Sequence, residues 1–237
     1  RGRVAGWRVQ GKKPERRHDL LLRRKLQRLK RPMTDYFALL GEPRRPWLDP
    51  EALKQKFLAL SVNVHPDRAH QLAEAGRQAA HQRYTELNAA HNCLREPKDR
   101  LRHLLELELA TLLKDMQQPP ADMVNLFLEI GRTCRDVDAF LAERAGVESP
   151  LLKVQFFERA QNWIEKLKTL RQAINLRREQ LIEELKAIDT AWMNLDPNNI
   201  QGRNDLLDRM DVLYRLFGFL ARWGQQIQER EMRLSFG

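Results

Sequence analysis

Phe57-Leu58-Ala59-Leu60-Ser61-Val62-Asn63-Val64-His65-Pro66-Asp67 is the stretch that decides the fold. Ahead of its last three residues, Leu53, Phe57, Leu60 and Val64 recur at offsets of four, three and four. Beyond them, Tyr84, Leu87, Ala90 (or His91) and Leu94 repeat the pattern. Each series has the spacing of one buried face of a helix. Pro66 pushes the residue before it out of the α region and so ends the first helix. The reading is two helices packed together and joined by a short exposed turn. That turn holds His65 and Asp67 as a rigid polar pair facing solvent.

Upstream, Thr34 is suited to cap a first short helix and Gly41 to end it. Residues 42–48, with Pro43 and Pro46, read as a loop. Asp49-Pro50 then supplies an N-cap followed by proline at the first helical position, and a helix from Pro50 to about Val64 follows. After the turn a long helix is predicted from about Gln71 to Leu94. Glu96-Pro97 breaks it, and an amphipathic helix from Pro97 to about Lys114 carries Leu101, Leu104, Leu105 and Leu107.

Gln117-Gln118-Pro119-Pro120 is the clear interdomain punctuation. Beyond it, Met123, Phe127, Ile130, Cys134, Val137 and Leu141 alternate at four and three until Gly146. Ser149-Pro150 caps the next helix. That helix shows Phe156, Ala160, Trp163, Leu167, Leu170 and Ile174 on one seam. Arg177 interrupts it before Leu181, Leu185, Ile188 and Trp192 resume. Asp196-Pro197-Asn198-Asn199 makes a turn, and a last helix carries Leu206, Met210, Leu213, Phe217, Leu220, Gly224 and Ile227. Three heptad-like seams predict an antiparallel three-helix bundle. No strand pattern or internal repeat stands out, so the fold class is all-α.

The 237 residues carry a net charge of +10, but the charge is not spread evenly. Residues 1–32 hold thirteen Lys and Arg against Glu15 and Asp19, a net of +11, which leaves 29 basic and 30 acidic residues elsewhere. Such a tail can grip phosphates or an anionic surface, or act as a presequence, although it lacks both Ser and Thr. It also reads as a solvated arm, or as non-native with Met33 the start. No apolar run reaches the length of a membrane span. Cys93 and Cys134 form no CxxC pair, so no zinc site, metal or disulfide framework is expected. A reducing compartment, the cytoplasm rather than the mitochondrial matrix, is the natural reading.

Three stretches together resemble a J domain, the module by which co-chaperones stimulate DnaK-type ATPases. They are Asp35-Tyr36-Phe37-Ala38-Leu39-Leu40-Gly41, residues 57–67, and Leu87-Asn88-Ala89-Ala90-His91 ending at Leu94. Their order and separation set the match apart from a helical hairpin that carries His-Pro-Asp by chance. The helix beyond Leu94 narrows the resemblance. Glu96-Pro97-Lys98-Asp99-Arg100-Leu101-Arg102-His103-Leu104-Leu105-Glu106-Leu107 is similar to the Asp-Pro-x-x-Arg-Ala-x-Tyr-Leu-Leu-x-Leu stretch of the HscB family of iron–sulfur assembly co-chaperones. Leu126-Phe127-Leu128-Glu129 loosely resembles the FLME that opens that family's bundle, and residues 213–220 look like the aromatic segment of its last helix. The resemblance implies a J domain at 33–115 and a client-binding three-helix bundle at 116–237.

It also implies partners. His65, Pro66, Asp67, Lys54, Lys56 and Arg68 would meet a DnaK-type chaperone of the heat-shock protein 70 class, a rigid carboxylate being suited to a partner's arginine. Leu58, Val62 and Asn63 depart from the Lys and Arg that J domains often carry at those positions. Phe127, Leu128 and Phe217 would meet a client, plausibly the iron–sulfur scaffold protein. By periodicity alone Phe127 and Phe217 are seam residues, and Lys54 and Lys56 a solvated helix face. Where the family has acidic positions after FLME, this chain has Ile130-Gly131-Arg132.

Enzymatic chemistry finds no support. Both cysteines read as buried core thiols, and His81, His91 and His103 share no ligand spacing with them. There is no glycine-rich phosphate loop, so the chain is not expected to bind ATP, and no cofactor is expected. The competing classes are a J protein with an unrelated client and a coiled-coil interaction protein with a degenerate J domain. Nucleic-acid binding is expected only if the basic tail provides it.

Overall fold

The computed structural model describes residues 34–65, 73–109, 123–146 and 149–236. These form seven helices and no strand: α1 (Tyr36–Leu40), α2 (Pro50–Val62), α3 (Glu74–Arg95), α4 (Pro97–Leu109), α5 (Val124–Arg144), α6 (Pro150–Met193) and α7 (Ile200–Phe236). The all-α expectation holds. The expectations for the basic tail, for Pro66, Asp67 and Arg68, and for the Gln-Gln-Pro-Pro segment with its domain boundary lie outside the described residues.

The helix boundaries follow local chemistry. Asp35, not Thr34, caps α1: its carboxylate accepts from the Phe37 and Ala38 N–H groups, and Gly41 closes the helix in the left-handed region at φ 66°. That φ is open to glycine and costly for a residue with a Cβ. Asp49 caps α2 by accepting from Ala52 N–H, with Pro50 at the first turn. Asn199 accepts from Gly202 N–H at 2.9 Å and so starts α7.

Helices α2 and α3 pack as an antiparallel pair, with the Phe57 and His91 rings stacked at 4.4 Å. Leu53, Leu87, Ala90 and Leu94 are buried, and Phe57, Val64 and Tyr84 are half-buried. One member of the expected stripe is displaced: Leu60 is exposed and Ser61 is buried in its place. The contact follows the i, i+4 row of residues 53, 57 and 61, and Leu60 falls on its outer edge.

Helices α5, α6 and α7 make the expected bundle. Helix α6 runs unbroken for 44 residues, about 66 Å at 1.5 Å per residue. Its partner α7 is nearly as long at 37 residues, whereas α5 has 21. Part of the α6–α7 pair therefore extends past α5, and α4 packs along α7. For that reason α7 buries more than the single predicted seam. Leu207, Tyr214, Leu216, Phe219, Trp223 and Leu234 are buried as well as the expected Leu206, Met210, Leu213, Phe217, Leu220 and Ile227, while Gly224 is half-buried.

Residues 35–237 consequently form one compact unit with a single continuous core, from Phe37 and Leu40 through Leu101, Leu104 and Leu105 to Leu213 and Ile227. Fully burying each such side chain contributes about 1.5–3 kcal/mol. Of the two cysteines, Cys134 is buried as expected. Cys93 is only half-buried, its Sγ 3.5 Å from the Asp99 carbonyl oxygen, because it lies on the flank of α3 beside the start of α4.

Candidate functional site

His65 follows the end of α2, where Asn63 is the C-cap and Val64 N–H donates to the Ser61 carbonyl at 3.2 Å. Its imidazole meets the edge of the Tyr84 ring, with centroids 5.4 Å apart and planes at 81°. The histidine of the sequence motif is thus half-exposed and held against α3 by an aromatic contact. Of the predicted basic residues, Lys54 is exposed, with its amine 3.8 Å from Glu51. Lys56 is exposed too, and its amine donates to the Gly41 carbonyl at 2.9 Å and lies 2.8 Å from Glu42. It ties α2 to the end of α1. Leu58 and Val62 stand exposed one turn apart on α2, in the row that begins at Lys54.

A polar framework that sequence reasoning missed stands behind this corner. The buried Arg100 guanidinium donates to the Pro46 carbonyl at 2.8 Å and the Leu94 carbonyl at 2.6 Å. Burial pulls its pKa down to about 10, against the partly restoring charges of Asp189 and Glu96. Arg100 occupies the arginine position of the Asp-Pro-x-x-Arg resemblance, and this is its job here: it satisfies one of the last carbonyls of α3, that of Leu94, and the loop carbonyl of Pro46. His103 takes the tyrosine position of that stretch. Its Nε2 accepts from Tyr36 N–H at 3.0 Å, with Tyr36 and Phe37 rings 4.6 and 5.8 Å away. Burial lowers the His103 pKa, partly opposed by the nearby Asp35 carboxylate, so the neutral acceptor is the resident form.

The loop before α2 is fastened to the end of α6. Asp189 accepts from Arg45 and from Trp47 N–H, and the Trp192 indole N–H donates to the Arg44 carbonyl at 3.0 Å. The hydrogen bond that Arg45 donates to Asp189 raises the Arg45 pKa. Glu108 of α4 pairs with Arg203 of α7 and lies 3.7 Å from Arg44. Together these contacts fix the helical hairpin that bears His65 to the long helices.

On the bundle, Phe127 is 41% and Leu128 55% exposed, as a contact surface requires. Phe217 is corrected: at 4% exposure it belongs to the core, where its place on the α7 seam puts it. The aromatic neighbours of Phe127 are instead Trp223, with ring centroids 5.9 Å apart, and behind it Phe219, at 5.7 Å from Trp223. Their signal was present as a second row on α7, residues 216, 219, 223 and 227, at offsets of three and four. Among the described residues no group of three His, Cys, Asp or Glu is arranged to hold a metal ion. No described helix is long and apolar enough to cross a membrane.

The comparisons with known proteins meet this geometry. No family model matches the chain. The "Co-chaperone protein HscB homolog" of Bordetella pertussis is 36% identical over 128 residues, covering 51% of this chain and 74% of that protein. The chain belongs to the HscB co-chaperone family. The HscB homolog of Chromobacterium violaceum is 33% identical over 110 residues, 44% of this chain and 63% of that protein. The crystal structure of human co-chaperone protein HscB shares the fold, with a TM-score of 0.51 and 18% identity over 86% of this chain and 84% of its own. Membership in the HscB family identifies the α2–α3 hairpin as a J domain and the α5–α7 assembly as its helical bundle.

Proposed function

We propose that this HscB-family chain stimulates the ATPase of a DnaK-type chaperone and delivers a client to it, the client being the iron–sulfur cluster scaffold protein. The observation that carries this reading is His65, held at the end of α2 against Tyr84, in a chain of this family whose next two residues are Pro66 and Asp67. In this reading His65, Pro66 and Asp67 engage the chaperone, with Lys54 and Arg68 adding charge. An acid and an imidazole are suited to charge-assisted contacts, and the imidazole is already held against Tyr84. Lys56 contributes by holding α2 in place, since its amine is already occupied.

The bundle, residues 116–237, presents Phe127 and Leu128 to the client, backed by Trp223. The adaptor works in the cytoplasm and catalyses nothing itself. Two measurements test the proposal. Steady-state ATP hydrolysis by a DnaK-type chaperone should rise on adding the full chain and not on adding His65→Gln; equal stimulation by both refutes the mechanism. Capture of the purified scaffold protein by the full chain should weaken at least tenfold in Leu128→Asp. Capture at wild-type strength by that variant removes the client face from the account.

A further inference from the structure

The seam of α7 contains a gap. Between Leu220 and Ile227, Gly224 brings no side chain, and a Cβ added there would meet no other atom within 4 Å. Its φ is not in the left-handed region, which among the described glycines only Gly41 occupies. Neither backbone conformation nor close packing therefore calls for glycine, although glycine inside a helix is less stable than alanine. What the missing side chain leaves is space. A groove of about 310 Å³ lies open between the start of α4, α6 and α7.

The groove has a recognisable chemistry. Its floor is apolar, formed by Ile174 and Leu220 beside Gly224, and ligand grooves combine such floors with a few polar groups that fix orientation. Along the rim stand Asn175, Gln225 and Gln228, exposed carboxamides with no side-chain hydrogen bond among the described residues. A carboxamide offers both a donor and an acceptor, which is what an extended peptide backbone requires. At the α4 end Arg178 lies 3.7 Å from Glu96. The Lys98 amine has no carboxylate partner among the described residues and lies 6.0 Å from the centre of the Tyr214 ring. One uncompensated cation therefore flanks the apolar floor.

We infer that this groove binds an extended polypeptide segment in which a bulky apolar side chain, seated over Gly224, stands next to an acidic residue that pairs with Lys98. The site uses neither the His65 corner nor the Phe127 face, so it stands independently of the chaperone and client readings. The segment lies between α6 and α7 with its backbone against the carboxamides and its carboxylate toward α4.

The test is a titration of the full ¹⁵N-labelled chain with the capped hexapeptide Ser-Gly-Leu-Asp-Gly-Ser, followed by amide NMR. The Gly224 backbone amide and the side-chain amides of Asn175, Gln225 and Gln228 should shift together. Replacing Leu by Gly in the peptide should weaken binding at least tenfold. Gly224→Trp fills the groove where a Cβ has room, and should abolish the shifts while the thermal midpoint is kept. Should that variant fold poorly, Lys98→Glu provides the second arm: it should weaken the Asp peptide and restore binding to the same peptide with Lys for Asp. The inference is overturned if the groove amides do not move, if only Phe127, Leu128 and Trp223 respond, or if Gly224→Trp binds as wild type. Concentration-dependent shifts of the groove amides without peptide would assign the surface to a second copy and equally overturn it.

Discussion

Asp189, buried near the end of α6, accepts hydrogen bonds from the Arg45 guanidinium through both carboxylate oxygens, although 144 residues separate the two. The Nε–Oδ1 distance is 2.9 Å, and Trp47 N–H reaches the same oxygen at 3.2 Å. A carboxylate this buried is tolerated when its lone pairs are met. Its three donors come from the loop that leads into α2, so one acid couples the J-domain hairpin to the bundle.

Asp189→Ala leaves Arg45 and Trp47 N–H without their acceptor. Arg45 is partly exposed and can turn to water, which reduces the loss. Urea denaturation should show a destabilisation of about 2 kcal/mol. A change under about 0.5 kcal/mol would mean that the loop is held by packing alone.

Arg100→Lys tests whether the fork of the guanidinium matters. An ammonium is a compact donor and cannot reach the Pro46 and Leu94 carbonyls with the same geometry. The substitution should cost roughly 1–3 kcal/mol despite keeping the charge. Full retention of the denaturation midpoint would show that one contact suffices.

His103 makes stability pH-dependent. Its pKa in the fold is lowered, by burial first, so the unfolded chain binds the proton more readily. The stabilising contribution is then complete above the unfolded value of about 6.5 and is lost as pH falls from there through the folded value. Burial lowers His91 in the same direction, so the two add. Unfolding free energy should fall between pH 7 and pH 5, and His103→Gln should flatten that slope. An unchanged slope in the variant would remove His103 from the explanation.

The cysteines should be inert. Burial, with Asp99 adding to it, raises the Cys93 thiol to about 11, and burial raises Cys134 as well. The thiolate is the reactive form, so alkylation of the native chain at pH 8 should run about a hundredfold slower than that of a free thiol. Rapid modification of either residue would mean that the α3–α4 junction or the bundle opens readily.

The strong periodic signals of the sequence carried through to the structure. Leu87, Ala90 and Leu94, the Asp49-Pro50 and Ser149-Pro150 starts and the Gly41 stop were all legible, because each depends on neighbours within a turn or two. What escaped depends on partners far away in the chain. Arg100 and Asp189 are charged residues whose burial makes sense only once the 42–48 loop lies over them. His103 looked like a histidine without ligand partners, and its partner is the backbone of α1. Phe217 is core, as its place on the predicted α7 seam required, and only the family resemblance had put it on the client surface; one seam per helix still underestimates α7, which α4, α5 and α6 all contact. Leu60 failed for the complementary reason: α2 is covered along a single narrow row.

The most direct measurement is single-turnover hydrolysis by a DnaK-type chaperone preloaded with ATP, mixed either with the full chain or with its His65→Gln variant. The account predicts that the wild-type chain accelerates the turnover and that the variant leaves it at the basal rate, while circular dichroism shows both equally helical. Acceleration by both chains alike, or by neither, would contradict it.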